Sequence, residues 1–375
     1  MANNYIPVNI PLLDGNELKY VSECIKTGWI SSEGPYVSEF EKRFSKYVDR
    51  KYGIAVSNGS GALDIAVRAL GLGIGDEVIM PTFTIISPAQ SLINSGVKPV
   101  LIDSDLMTWN MDVNQVEQKI NSNTKAILVV HIYGLPVDMD PILDIARKYN
   151  LLIIEDAAEM HGQTYNGKQC GSFGDISIFS FYPNKHITTG EGGMIVCNDK
   201  YLAEKCYKLR NLAFEPQGRR FVHFELGWNY RMTNLQAALG LAQLEKIDDH
   251  IKRKREIGLL YYKCLEEIVD IKLPLLKTTY SNNIFWVFGL LCCNENLNNN
   301  LVKMLSDSGI GTRPFFWCMH EQPVFKKMGL FENEQYPNAE QMARCGFYVP
   351  SGTGLSDDEV LFVSKKILQF QGELI

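Results

Sequence analysis

The sequence predicts an α/β protein whose large first part contains a mostly parallel sheet. Through the first two-thirds of the chain, short apolar runs alternate with longer amphipathic stretches. Such alternation is typical of a parallel sheet covered by helices. From about residue 234 the pattern becomes long and helical, and the remaining chain mixes strands and helices. We therefore predict a boundary near residue 245, with a large α/β domain at 1–245 and a small C-terminal α+β domain at 246–375.

The individual elements follow from hydrophobic periodicity. The apolar runs predicted as strands of the large sheet are 53–56, 77–80, 98–102, 126–130, 151–154, 176–180 and 194–197. The stretches predicted as helices include 61–72, 141–149, 235–244, 248–269 and 357–371. The most apolar stretch, 284–293, is rich in aromatic residues and far shorter than the roughly 20 residues of a membrane helix, so we expect a buried strand.

Composition excludes several classes of protein. The 375 residues are 46% hydrophobic and 21% charged, the balance of a globular chain with a substantial core. The 37 basic and 43 acidic residues give a net charge of -6, and no Lys/Arg-rich run is present. This is not the charge pattern of a nucleic-acid-binding protein. An anionic ligand would have to be held by local groups.

The nine cysteines and the first residues indicate a cytoplasmic protein. The cysteine count is odd, no pair has CxxC spacing, and no histidine cluster accompanies them. These features favour reduced thiols over a disulfide framework or a structural zinc site, and we expect no metal. The stretch 1–7 has neither a basic nor an apolar region of the kind found in secretion signals. We expect no association with a membrane.

Two segments at the ends of predicted strands contain candidate binding groups. At residues 56–63 a strand leads through a small, Gly-containing turn into a helix, so backbone N–H groups and the Ser60 hydroxyl converge at a helix N-terminus. Such a site favours a phosphate, although an ordinary helix cap has the same pattern. At residues 151–159 an apolar strand ends in acidic residues, among them Asp156. A buried carboxylate needs a cationic partner, which a protonated heterocycle would supply, but a helix cap is the alternative.

A lysine lies in the third segment. In residues 178–193 a strand ends in a polar turn that contains Lys185 and His186, and a Gly-rich stretch and a second strand follow. Partial enclosure lowers the pKa of a lysine and frees its amine for a Schiff base. No second metal ligand is in reach of His186 by spacing, so we interpret it as a positioning or structural group. The fourth segment, 227–234, precedes a helix and has a helix-cap pattern.

The order of these segments and their amino-acid sequences resemble those of one enzyme family. Fold-type I pyridoxal phosphate enzymes have a phosphate-binding turn, then a carboxylate, then a lysine. The motifs at residues 156–159, 179–185, 188–193 and 229–234 (Asp-Ala-Ala-Glu, Phe-Ser-Phe-Tyr-Pro-Asn-Lys, Thr-Thr-Gly-Glu-Gly-Gly and Asn-Tyr-Arg-Met-Thr-Asn) resemble the DegT/DnrJ/EryC1/StrS nucleotide-sugar aminotransferases. The resemblance covers nearly the whole chain. It implies the aspartate aminotransferase-like fold, with a large pyridoxal phosphate-binding domain.

The resemblance also assigns roles to residues. It implies that Lys185 binds pyridoxal 5′-phosphate covalently and moves the proton between substrate and cofactor. Asp156 would pair with the pyridine nitrogen, and Glu159 would bond the ring hydroxyl. The groups implied to hold the phosphate are Ser60, the Gly61 N–H, Ser180 and Asn229. Because Asn229 resembles a residue supplied by the neighbouring subunit, we expect a homodimer with shared sites.

The implied reaction has two halves. L-glutamate converts pyridoxal phosphate to pyridoxamine phosphate, and the amine then passes to C4′ of a nucleotide-linked 4-keto-6-deoxyhexose. The preferred case is GDP-4-keto-6-deoxy-D-mannose, which gives GDP-perosamine, a sugar of the kind used in surface polysaccharides such as O-antigen. The candidates for contacts with sugar, base or pyrophosphate are Trp29, Arg231, Arg313, Phe316 and His320. Each of these could equally be a packing residue or part of a structural ion pair.

One position departs from the family pattern. Relatives place an aromatic residue after Pro-Thr-x-Thr to stack on the cofactor, and this chain has Ile85 there. Either Ile85 makes a plain apolar contact, or Phe83 or a shifted backbone supplies the ring. Stacking contributes only about 0.5–1.5 kcal/mol beyond area burial, so the departure affects geometry and not cofactor binding.

Other functions remain as alternatives. The same chemistry on dTDP- or UDP-linked sugars of the viosamine type would use the same motifs. Related sugar 3-dehydratases have a histidine in place of the lysine, but the spacing from Phe179 puts Lys185, not His186, at the cofactor position. A non-enzymatic regulator with this fold would need an added DNA-binding region, and the sequence contains no appended basic domain.

Overall fold

The structure, a computed structural model, describes residues 5–215 and 217–372. The strands are β1 (Tyr52–Val56), β2 (Glu77–Pro81), β3 (Lys98–Ile102), β4 (Thr124–Val130), β5 (Leu152–Asp156), β6 (Thr164–Tyr165), β7 (Lys168–Gln169), β8 (Ile176–Ser180), β9 (Gly193–Cys197), β10 (Ile271–Lys272), β11 (Phe288–Cys292), β12 (Arg313–Pro314) and β13 (Gly346–Val349). The helices are α1 (Glu17–Thr27), α2 (Pro35–Tyr47), α3 (Gly59–Ala69), α4 (Ser87–Asn94), α5 (Met139–Tyr149), α6 (Lys200–Arg210), α7 (Asn234–Glu245), α8 (Ile247–Leu265), α9 (Glu295–Asp307), α10 (Pro323–Lys327), α11 (Pro337–Cys345) and α12 (Asp357–Gly372).

The large sheet has seven strands in the order β1-β9-β8-β5-β4-β2-β3. Neighbouring strands from β3 across to β8 are parallel, and β9 runs antiparallel to both of its neighbours. The central strands β4 and β5 are almost continuously buried, as expected for strands covered on both faces. The predicted mostly parallel sheet is confirmed, and each predicted strand lies within two residues of its observed start.

Helices cover both faces of this sheet. One buried apolar cluster includes side chains of α3, α4 and α6, and a second includes side chains of α2, α5 and α7. Local signals fix where these helices start. The Asn58 side chain accepts a hydrogen bond from the Gly61 N–H at the start of α3, and Thr233 and Gln236 form a capping box at α7. Because these strands are parallel, their carboxyl ends lie at one edge of the sheet, and α3 begins there.

The chain after α7 builds a second, four-stranded sheet in the order β10-β11-β13-β12, with every pair antiparallel. The predicted strand at 284–293 is shorter than expected, because residues 284–287 form an irregular segment before β11. The N-terminal segment also belongs to this region: Ile6 forms a parallel bridge with Ile310, and the Ser351 N–H donates to the Val8 carbonyl.

Helix α8 connects the two regions. Its Ile251 packs in the core of the large sheet, while Ile257 and Tyr261 pack in the core of the C-terminal region. The predicted boundary near residue 245 coincides with the junction of α7 and α8. The division into domains at 1–245 and 246–375 stays a prediction, and residues 1–4, 216 and 373–375 of those ranges lie outside the described part. Within the described residues, no helix has the length and apolar character needed to cross a membrane.

Gly258 allows α8 to approach the irregular segment closely, because a Cβ there would lie 2.3 Å from ring atoms of Phe285. We expect Gly258→Ala to lower the free energy of unfolding by about 1–3 kcal/mol through this overpacking. The loss occurs although alanine is the better helix former by about 1 kcal/mol. Asn299→Ala, at an exposed position of α9, is the matched control and should not destabilise the protein. Urea unfolding measures both; equal stability of the two variants would contradict the close contact.

Candidate active site

A cavity of about 370 Å³ lies at the carboxyl ends of the parallel strands. Loops that follow β1, β2, β4, β5 and β8 form one side of it, and aromatic side chains from the C-terminal region form the other. Its lining comprises Asn58, Gly59, Ser60, Leu63, Thr84, Ile85, Ser87, Val130, His131, Ile132, Asp156, Ala158, Glu159, Ile178, Ser180, Tyr182, Asn184, Lys185, Glu191, Trp286, Phe316 and Tyr348. Ligands of open α/β sheets bind at this edge of the sheet.

Lys185 lies in the turn after β8 and lines the cavity. Its side chain is 10% exposed, and its Nζ lies 3.7 Å from Glu159 Oε1. Burial lowers the pKa of Lys185, and the carboxylates of Glu159 and Asp156 oppose this shift. A lowered pKa leaves part of the amine unprotonated, which is the state that attacks a carbonyl carbon.

Asp156 and Glu159 line the same cavity as this amine. The Ala158 N–H donates to Asp156 Oδ1 at 3.1 Å, and the Tyr133 N–H donates to Glu159 Oε2 at 2.8 Å. Burial raises the pKa of Asp156 to about 6 and also raises that of Glu159. Both carboxyl groups are therefore short of positive charge or hydrogen-bond donors. A ligand that brings a protonated ring nitrogen and a hydroxyl would satisfy them.

The residue before Asp156 has a different role. Glu155 accepts hydrogen bonds from His131 Nε2 at 3.2 Å and from the N–H groups of Phe173 and Gly174. Burial alone would raise the pKa of Glu155, but His131 and the backbone donors hold it at about 2. Because neighbouring strand residues point to opposite faces, this fully bonded carboxylate holds the end of β5 from behind while Asp156 faces the cavity.

The N-terminus of α3 forms an anion-binding corner. The Ser60 hydroxyl lies 2.7 Å from that of Ser87, and a Cβ on Gly59 would lie 3.0 Å from the Ser180 Cβ. Small residues thus bring the helix start against the end of β8, where the N–H groups of the first helical turn and the nearby hydroxyls favour a phosphate. The Gly61 N–H, predicted to bind the phosphate, donates to Asn58 Oδ1 at 2.7 Å in this structure.

At the family's aromatic position, Ile85 and Phe83 lie in different environments. Ile85 lines the cavity and is 49% exposed. Phe83 is fully buried and packs against Tyr133 and Phe316, outside the lining. The structure therefore provides no ring at this side of the cavity from either residue.

The predicted substrate residues of the C-terminal region fall into different environments. Phe316 lines the cavity. Arg313 is exposed on β12, in register with Tyr348 of the lining. His320 is buried, and its ring nitrogens lie 2.9 Å from Thr82 Oγ1 and 3.1 Å from Glu340 Oε1. Since both nitrogens of His320 have partners, a structural role fits it better than a substrate contact.

The remaining predicted residues do not line the cavity of their own chain. Asn229 is exposed and forms a bridge with Asn211, to which Arg231 also donates a hydrogen bond. Trp29 is 51% exposed, and its carbonyl accepts from the Asn234 side chain. Their roles as contacts to a phosphate or substrate stay predictions.

Sequence reasoning missed the aromatic wall contributed by Trp286 and Tyr348. Both follow residue 245, in segments without a motif, and only the fold brings them against Lys185. The apolar and aromatic character of residues 284–293 was the available signal, but it indicates burial and not a cavity. His186, next to Lys185, is buried and is not part of the lining, which agrees with the choice of Lys185 for the cofactor position.

These residues fit pyridoxal phosphate. The amine of Lys185, the carboxyl groups of Asp156 and Glu159 that lack compensating charge, and the anion-binding corner beside Ser60 match the carbonyl, ring and phosphate of that cofactor.

The raised pKa of Asp156 gives a prediction for the cofactor-free protein. Between about pH 4 and pH 6 the native state binds more protons than the unfolded chain, so stability falls as pH rises through that window. We expect Asp156→Asn to raise the free energy of unfolding at pH 8 by about 1–3 kcal/mol and to have no effect at about pH 3.5. Urea titrations at both pH values measure this. Asp307→Asn, at an exposed site, is the control, and an Asp156→Asn protein less stable than the wild type at pH 8 would contradict the prediction.

Comparison with known proteins agrees with the cofactor that the site residues fit. Residues 11–368 match the DegT/DnrJ/EryC1/StrS aminotransferase family. The chain is 42% identical to the GDP-perosamine synthase of Escherichia coli O157:H7, over 98% of this chain and 99% of that protein. It is 44% identical to the GDP-perosamine synthase of Caulobacter vibrioides, over 95% of each chain. The crystal structure of the aminotransferase TlmJ from Streptoalloteichus hindustanus, 26% identical, superposes with a TM-score of 0.92 over 98% of this chain and 99% of that one.

These matches confirm three predictions made from the sequence: the fold-type I class, aminotransferase activity and pyridoxal phosphate as cofactor. The match extends over both the large sheet and the C-terminal region, including the cavity between them. The chain belongs to the DegT/DnrJ/EryC1/StrS aminotransferase family.

Proposed function

We propose that the protein transfers the amino group of L-glutamate to C4′ of a nucleotide-linked 4-keto-6-deoxyhexose. The preferred substrate is GDP-4-keto-6-deoxy-D-mannose, and the products are GDP-perosamine and 2-oxoglutarate. The observation that carries the proposal is the Lys185 amine, 3.7 Å from Glu159 in a cavity beside the N-terminus of α3. The choice of sugar and nucleotide is supported by two relatives, both more than 40% identical to this chain, that are named GDP-perosamine synthases.

Lys185 is the group that moves protons. When bound, pyridoxal phosphate supplies a carbonyl carbon that exchanges oxygen for nitrogen and a ring that withdraws electrons. The Lys185 amine, with its pKa lowered by burial, takes the proton from the α-carbon of glutamate. The same amine later gives a proton to C4′ of the sugar. Its short distance to Glu159 keeps it directed into the cavity between these two transfers.

The other residues of the cavity orient the cofactor and shield the reacting carbon from water. Asp156 lies 4% exposed at the end of β5, where its carboxylate favours a protonated ring nitrogen. Ser60 and Ser180, with the start of α3, hold the phosphate dianion. Trp286 and Phe316 close the cavity from the C-terminal side and exclude water from the reacting carbon.

We also propose a homodimer with shared active sites in the cytoplasm. Asn229 is exposed and does not line the cavity of its own chain. The neighbouring loop exposes Phe221, Phe224 and Leu226 at 74%, 78% and 85%. Large apolar side chains exposed close together in the sequence are typical of a protein–protein interface, and we propose that a second copy covers them and receives Asn229 at its phosphate site.

One prediction of this proposal concerns Lys185. We expect the wild-type protein with pyridoxal phosphate to show a visible absorption band that glutamate bleaches, and Lys185→Ala to lack that band. The exposed Lys200, paired with Glu204, gives the control Lys200→Ala, which should behave as the wild type. A wild-type band that glutamate leaves unchanged would overturn the proposed amino donor while keeping the lysine.

The second prediction concerns the substrate. With glutamate as donor, we expect formation of a 4-amino sugar from GDP-4-keto-6-deoxymannose at least tenfold faster than from dTDP- or UDP-4-keto-6-deoxyglucose, a difference of about 1.4 kcal/mol. Mass spectrometry of the products measures this directly. A preference for a dTDP- or UDP-linked sugar would favour the viosamine-type alternative, and loss of a hydroxyl without gain of nitrogen would indicate a dehydratase.

The third prediction tests the shared site. Lys185→Ala and Asn229→Ala homodimers should each have little activity. After subunit exchange, half of the dimers are mixed, and each mixed dimer has one intact site, so about a quarter of the wild-type activity should return. Mixing two samples of Lys185→Ala is the control. No gain in activity after verified exchange would show that Asn229 acts within its own subunit.

A further inference from the structure

Trp286 contacts the Lys185 turn in two ways. Its ring centroid lies 4.1 Å from Lys185 Nζ, and its Nε1–H donates to the Asn184 carbonyl at 2.9 Å. The side chain is 2% exposed and stacks against Tyr133, with ring centroids 5.8 Å apart. The Trp286 indole therefore contacts both the amine of Lys185 and the carbonyl of the residue before it, Asn184.

The backbone of Trp286 is itself held from two sides. Lys254 Nζ, from α8, donates to the Trp286 carbonyl at 2.6 Å. The Asn283 side chain accepts from the Phe285 N–H at 2.6 Å, and Gln163 Nε2 donates to the Asn282 carbonyl at 2.8 Å. The indole is thus attached to a fixed segment. A group that positions another side chain needs such support.

We propose that Trp286 is a positioning residue for Lys185: its ring face holds the amine whenever the amine is not bonded, and its N–H fixes the turn that carries it. This inference rests on the proposed role of Lys185. A cation over an indole face is attracted by the ring's quadrupole, most strongly where water is excluded. The ring and the Glu159 carboxylate then provide two contacts for the ammonium form, while the cavity remains open above it.

Other charged and titratable groups also act on this amine. The carboxylates of Asp156 and Glu159 favour its protonated form, and burial disfavours it. Further titratable groups on the surrounding elements are His161, His186, Lys254 and Tyr348. Removing the Trp286 ring leaves all of these in place. It also admits water, which raises the pKa of Lys185, whereas loss of the ring face lowers it, so the direction of the shift separates the two effects.

The test measures capture of pyridoxal phosphate by the full-length, cofactor-free chain. The rate of formation of the visible band, recorded by stopped flow between pH 6 and 10, follows the unprotonated fraction of Lys185. We expect Trp286→Leu to move the midpoint of this pH profile downward by about 0.5–1 pH unit. Trp286→Phe keeps a ring face but loses the N–H, and should retain most of the wild-type midpoint while it captures the cofactor several-fold more slowly.

Two controls separate this role from general packing and from the proposed function. Trp109 is also buried and packs on Tyr133, so Trp109→Leu should lower thermal stability as Trp286→Leu does, without moving the midpoint. A midpoint in folded Trp286→Leu equal to that of Trp109→Leu, or an equal shift in Trp286→Phe, would overturn the assignment to the ring face. Band formation by Lys185→Ala would instead refute the role of Lys185, whatever the Trp286 variants show.

Discussion

The active site depends on burying an amine and two carboxyl groups together. Lys185, Asp156 and Glu159 lie within one cavity where water cannot solvate them fully, so each shifts the ionisation of the others. Such a group is costly to the folded protein unless its members remain at fixed distances. Much of the surrounding structure serves this requirement. Glu155 and its backbone donors hold β5 from behind, and Tyr133 donates its N–H to Glu159.

The parallel sheet explains why these groups meet although they are distant in sequence. Strands β1, β5 and β8 end at the same edge, so the start of α3, the carboxylates and the lysine turn face one volume. The C-terminal region completes that volume with Trp286, and α8 connects its core to that of the sheet. The cavity therefore forms only when both regions are folded, because each region supplies one of its walls.

Sequence reasoning located most of the site because its groups lie at strand ends. Lys185, Asp156 and Ser60 each follow an apolar run, and the resemblance of their motifs to those of a known enzyme family predicted the cofactor. It could not place Trp286, whose role depends on a long-range contact that no local pattern encodes. For His320 the sequence left a substrate contact and a structural role equally open, because no local pattern shows that Thr82 and Glu340 lie within hydrogen-bond distance of its ring nitrogens.

The bridge between Ile6 and Ile310 constrains how the chain is made as well as how it is held. Ile6 precedes every strand of the large sheet in the chain, and Ile310 follows all of them. Contacts between such distant positions slow folding, and exposed apolar residues that wait for partners promote aggregation. Ile6 therefore stays without its bridge partner until residue 310 has been synthesised, so this link between the N-terminal segment and the C-terminal region forms after all strands of the large sheet are present.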